Sequence, residues 1–85
     1  MAIEMLYFAW VREAVGTGTE HVEPPAGVAT VAQLIDWLAS RDDGHARAFA
    51  DRGRLRAAID QTFVALDAPL GDAREVAIFP PVTGG

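Results

Sequence analysis

Only one long stretch of this chain repeats its apolar residues with a helical period. Val31, Leu34, Ile35 and Leu38 fall at i, i+3, i+4 and i+7, the spacing that turns one stripe of a helix toward a core. Thr30 stands before the first of them and Gln33 three residues on, a capping box that starts a helix by satisfying its free N–H groups. Asp42-Asp43-Gly44 closes the helix. The other apolar residues come in short runs. Residues 2–10, 20–23, 55–59, 62–66 and 75–79 read as strands. Residues 11–15 suit a short helical turn, Gly16-Thr17-Gly18-Thr19 a turn, residues 45–51 a short second helix anchored by Phe49, and Asp60-Gln61 a tight turn between strands. One covering helix can bury one face of a small sheet. The expected fold class is therefore α+β, with one main helix on one face of the sheet and the other face open.

Strand side chains alternate between faces. If Val76 and Ile78 face the helix, Glu75, Ala77 and Phe79 face away. The same alternation sets Ile3, Met5 and Tyr7 against Glu4, Leu6 and Phe8. It sets Thr62, Val64 and Leu66 against Gln61, Phe63, Ala65 and Asp67. Phe8, Phe63 and Phe79 then share the open face, and an exposed aromatic patch marks a binding surface.

The chain has 85 residues, 51% of them hydrophobic, enough for one small core. Residues 1–79 are expected to form the domain and residues 80–85 an extended, flexible tail. There is no cysteine, so disulfides, thiolate metal sites and a cysteine nucleophile are excluded. His21 and His45, the only histidines, lack a metal-ligand spacing. The formal net charge is −5, which disfavours nucleic acid and anionic membranes because phosphates need Lys and Arg. The apolar N-terminal stretch is short, carries Glu4 and lacks a basic flank, unlike a signal peptide. A cytoplasmic location is the default expectation.

The sequence closes on Pro80-Pro81-Val82-Thr83-Gly84-Gly85. Two prolines cannot donate to a sheet and favour an extended exit. Six residues reach about 20 Å at roughly 3.3 Å each. Two glycines give a thin segment with an unhindered acyl carbon. Such a tail can thread a narrow active site in another protein. Its terminal carboxylate is ionised at neutral pH and a poor electrophile. An acyl-adenylate made from ATP would activate it toward sulfur, giving a thiocarboxylate, or toward an amine, giving an amide.

These residues resemble the molybdopterin-synthase small-subunit family of ubiquitin-like sulfur carriers, over essentially the whole chain. The resemblance rests on Leu6-Tyr7-Phe8-Ala9 with Arg12-Glu13, the helix after Thr30-Val31, Gln61-Thr62-Phe63-Val64, Asp67-Ala68-Pro69-Leu70, and above all residues 75–85. Asp60, Asp72-Ala73-Arg74 and Ile78 depart from the family pattern, and none lies in the tail. The resemblance implies a β-grasp fold with a mixed sheet. It implies that Gly85, preceded by Gly84, is adenylated by a ubiquitin-activating-like enzyme and thiocarboxylated with sulfur from a donor protein. The tail would then enter the large subunit of the synthase and give sulfur to cyclic pyranopterin monophosphate, forming the dithiolene. Phe8, Phe63, Phe79, Pro80, Pro81, Val82 and Thr83 would contact partners. The family assembles as a heterotetramer, binds no cofactor of its own, and acts as a sulfurtransferase only with its large subunit. Sulfur carriage for thiamine synthesis or tRNA thiolation, conjugation to other proteins through Gly85, and a plain binding domain are the alternatives.

Overall fold

The computed structural model describes residues 2–81. Five strands form one sheet: β1 (Ile3–Tyr7), β2 (Thr19–Val22), β3 (Arg56–Ile59), β4 (Thr62–Val64) and β5 (Glu75–Phe79). Helices α1 (Ala9–Val15), α2 (Val31–Ala39) and α3 (Asp43–Ala48) and a 3-10 turn at Arg52–Arg54 fill the connections. The strand order is β2-β1-β5-β3-β4. β1 and β5 are parallel, with Leu6 opposite Ala77 and Tyr7 opposite Ile78. The β1–β2, β3–β4 and β3–β5 pairs are antiparallel. Two hairpins thus flank a last strand set between them, the mixed β-grasp arrangement.

The core forms as the alternation requires. Ile3, Met5, Tyr7, Val76 and Ile78 are buried with Val31, Leu34, Ile35 and Leu38 of α2 in one cluster that Phe49 and Leu55 complete. The capping box is present: Gln33 N–H donates to the Thr30 hydroxyl at 3.2 Å, and the Thr30 N–H donates to the Gln33 side chain at 3.2 Å. Each such cap is worth about 1 kcal/mol.

Several boundaries differ from the sequence reading, each for a local reason. The first strand stops at Tyr7 rather than running to residue 10, because Phe8 caps α1 and its carbonyl accepts the N–H groups of Val11 and Arg12. Helix α1 has seven residues and ends at Gly16, whose left-handed φ of 100° suits glycine. Asp42 opens α3 as well as following α2, since its carboxylate accepts the His45 N–H at 2.9 Å. Helix α3 lies so close to α1 that a Cβ on Gly44 would stand 3.0 Å from the Ala14 carbonyl oxygen. β4 stops at Val64 because the carbonyls beyond it serve α2 instead of a strand. Ala32 N–H donates to Leu66 O at 2.7 Å and Val31 N–H to Ala68 O at 3.0 Å, satisfying donors that a helix start leaves free.

The β3–β4 turn uses positive φ at both Asp60 (47°) and Gln61 (72°), the two-residue geometry that matches strand twist. The Asp60 carboxylate accepts the N–H groups of Arg74 at 3.1 Å and Glu75 at 3.0 Å, pinning the entry to β5. Asp60 and Arg74, two of the departures from the family pattern, are thus joined directly.

Candidate functional site

The open face is built around β5. Ala77 stands opposite Leu6 on one side and Ala58 on the other, and Ala58 stands opposite Phe63. The two alanines are small enough to leave a floor between larger neighbours. Phe79, two residues along from Ala77 on the same face, meets Phe63 with ring centroids 5.4 Å apart and planes tilted by 42°, a favourable aromatic contact. Phe8 closes the third side. The result is an open groove of about 640 Å³ lined by Phe8, Phe63, Phe79, Pro80 and Pro81 over Ala58 and Ala77.

Phe63 is 76% exposed and Phe8 49%. Full burial of such a ring is worth about 1.5–3 kcal/mol, so the free chain forgoes that gain at two positions on one face. No titratable side chain lines the groove. Its lining among the described residues is apolar apart from Gln61, so it suits an apolar surface. Among the described residues no group of three or more His, Cys, Asp or Glu could hold a metal ion.

Pro80 and Pro81 leave the sheet at the end of this groove and also line a second, smaller cavity of about 360 Å³ with Trp10 and Arg54. The root of the tail therefore has structure on two sides. Val82, Thr83, Gly84 and Gly85, which the sequence reading assigns to contact and chemistry, lie outside the described residues.

A polar cluster that sequence reasoning missed sits on the other side of β1. His45 is only 5% exposed. Its Nδ1 lies 2.9 Å from the Asp42 carboxylate and its Nε2 lies 2.6 Å from Glu20 Oε2. The Tyr7 hydroxyl donates to the same Glu20 oxygen at 2.7 Å, and Arg41 lies 3.5 Å from Glu20 Oε1. An imidazole facing a carboxylate at each nitrogen donates to both when it carries two protons. Burial by itself would push the His45 pKa down, but hydrogen bonds to Glu20 and Asp42 outweigh it and hold the ring above the usual histidine value. The His45 backbone N–H, then its ring, hold the Asp42 carboxyl below the usual carboxylate range. Burial, reinforced by Glu20, pushes the Tyr7 phenol far up. The Asp42–His45 spacing of three residues was a visible signal. Glu20, twenty-five residues from His45, was not. Asp42, exposed just before α3, anchors the outer edge of this cluster. His45 is buried between Glu20 and the outer carboxylate of Asp42, so the cluster fastens α3 to β1 and β2 while Asp42 and Arg41 keep one side in solvent.

Known proteins share the pattern. A model of the ThiS family matches residues 5–85. The chain is similar to the molybdopterin synthase sulfur carrier subunit of Escherichia coli (strain K12), at 49% identity over 83 residues, covering 98% of this chain and 99% of the relative. It is 36% identical over 83 residues to the molybdopterin synthase sulfur carrier subunit of Haemophilus influenzae, covering 98% of this chain and 99% of that one. Among solved structures it resembles SAMP1 from Haloferax volcanii, with a TM-score of 0.74 at 30% identity and full coverage of both chains.

Proposed function

The chain belongs to the ThiS family, and from that premise we propose that it is the sulfur carrier of a molybdopterin synthase, working through Gly85. The observation that carries this reading is the continuity of the apolar groove with the root of the tail. Phe8, Phe63 and Phe79 run into Pro80-Pro81, so a protein docked on the groove meets the tail as it leaves the sheet. Similarity to the sulfur carrier subunits named above supports the substrate class.

The chemistry divides between partners. An adenylating enzyme of the ubiquitin-activating kind joins the Gly85 carboxylate to the AMP moiety of ATP and releases pyrophosphate. Sulfide-level sulfur delivered by a donor protein attacks the acyl carbon, AMP leaves, and a thiocarboxylate remains. In the large subunit of the synthase, the thiocarboxylate sulfur bonds to a carbon of cyclic pyranopterin monophosphate as an oxygen substituent leaves, and water then cleaves the acyl–sulfur bond and restores the carboxylate. A dithiolene has two sulfurs, so two carriers serve each product. This chain supplies a docking face and a thin acyl terminus, and the partners supply the catalytic groups. Docking holds the sulfur and the pterin carbon within about 3–3.5 Å, where positioning contributes much of the rate.

Deleting Gly84 and Gly85 should abolish sulfur transfer to the pterin and leave the melting transition unchanged. The measurement is reconstitution with the large subunit and cyclic pyranopterin monophosphate, with intact mass following the exchange of one oxygen for sulfur at the terminus. A truncated chain that still forms dithiolene would overturn the assignment. Sulfur delivered by the full chain to a thiazole-forming enzyme, and none to the pterin, would move the carrier to thiamine synthesis.

A further inference from the structure

The second cavity at the tail root has a different character from the groove. Trp10 is half-buried and Arg54 exposed, and the Arg54 guanidinium carbon sits 4.9 Å from the centre of the Trp10 ring. A guanidinium held on an aromatic face is oriented without being neutralised. Arg41 and Arg52 are paired with Glu20 and Asp36, but no ion pair among the described residues includes Arg54. Arg56, opposite Phe79 in the sheet, likewise has none; its guanidinium donates to the carbonyls of Leu55 at 2.8 Å and Gly53 at 3.3 Å. Of the 7 basic residues, only Arg41 and Arg52 take part in ion pairs among the described residues, and two of the others, Arg54 and Arg56, flank the strand end from which the tail departs.

The backbone is bent to build this arrangement. Ala9 has a φ of 53°, a left-handed conformation that residues with a β-carbon disfavour. It separates Phe8, which lines the apolar groove, from Trp10, which lines the second cavity. Pro80 and Pro81 belong to both, so a partner seated in the groove and receiving the tail lies against the Arg54 shelf as well.

We propose that the Trp10–Arg54 shelf is a second docking subsite, and that its occupant is a carboxylate side chain on the large subunit that receives the tail. The inference rests on the reading of the groove given above and adds a polar specificity element beside an apolar one. The apolar groove supplies most of the affinity, and the shelf adds a smaller, salt-dependent share. The shelf sets rotation about the tail axis, because a planar guanidinium fixed on an indole accepts a carboxylate in a narrow range of directions. A partner with an apolar surface but no acidic residue at that place leaves the guanidinium desolvated and unpaired, which discriminates against it.

The test is calorimetric titration of the purified large subunit with the full chain and with Arg54→Ala, Arg54→Glu, Arg54→Lys and Phe63→Asp variants, at low and high salt. Arg54 is exposed, so its variants should keep the parent melting curve. Arg54→Ala should weaken binding about tenfold at low salt, and Arg54→Glu should weaken it further. Arg54→Lys should recover part of the loss. The gap between parent and variants should narrow as salt screens the pair. Unchanged affinity in Arg54→Ala, or tighter binding in Arg54→Glu as expected over a basic surface, overturns the shelf as a carboxylate subsite. In either case, weakening by Phe63→Asp leaves the groove standing. If Phe63→Asp also binds like the parent, the reading of the groove falls too.

Discussion

β5 has two sides with opposite duties. Val76 and Ile78 are fully buried beneath α2. Ala77 and Phe79, from the same five residues, face a groove left open among the described residues. The buried side contributes to folding in proportion to the apolar area it removes from water. On the open side Ala77 is nearly covered and Phe79 half-buried, and the exposed apolar area of that face comes from the neighbouring Phe63 and Phe8. On the proposed function, stability and recognition are separated by the strand's period of two, which lets substitutions on one side be read independently of the other.

The sharpest way to break that separation is on the buried side. Leu34→Ala removes a fully buried side chain and should cost about 2–5 kcal/mol, out of a total near 5–15 kcal/mol for a domain of ordinary stability. Urea denaturation measures it. A loss below about 1 kcal/mol would mean that the helix face is not the one holding the fold. On the open side, Phe63→Asp should weaken binding of the large subunit by more than about 2 kcal/mol while the urea midpoint stays within the range of surface substitutions. Unfolding of the free chain by this change would place the ring in the core and erase the distinction.

Response to pH should separate the two sides again, with a smaller effect. His45 has a raised pKa in the folded chain, so its contribution is complete below the unfolded value of about 6.5 and is lost as pH rises through the folded one. Asp42 has a lowered pKa, so its contribution is complete above the unfolded value of about 3.9 and is lost as pH falls through the folded one. These two groups therefore favour the fold most between about pH 4 and 6.5. No titrating side chain lines the groove among the described residues, so its apolar docking should lack this dependence. Urea midpoints against pH check the first statement, and His45→Gln should flatten the alkaline limb. An unaltered limb would remove His45 as its source.

Local rules made much of this legible from the sequence. The helix was readable because Thr30, Gln33 and the Val31–Leu38 stripe are all near neighbours. The groove was readable because alternation along three short strands puts Phe8, Phe63 and Phe79 on one side without any need to know the strand order. Three features escaped. Residues 8–10 look like strand by composition, and only the positive φ at Ala9 shows the chain turning into a helix there. Residues 65 and 66 have strand-like character, but α2 takes the carbonyl of Leu66. The Glu20–His45 contact requires β2 and α3 to be brought together by the whole fold, and no short-range pattern encodes that. Trp10 and Arg54, forty-four positions apart in sequence, met for the same reason.

The place of β5 in the sheet has a consequence for how the protein is made. The hairpin pairs β1–β2 and β3–β4 are joined only through β5, the last of the five strands to leave the ribosome. Until residues 75–79 emerge, the nascent chain holds two hairpins that share no hydrogen bonds, and isolated hairpins are marginal in water. The same five residues supply Ala77 and Phe79 to the docking groove. An aborted translation product that ends before β5 therefore has neither a completed sheet nor a completed groove.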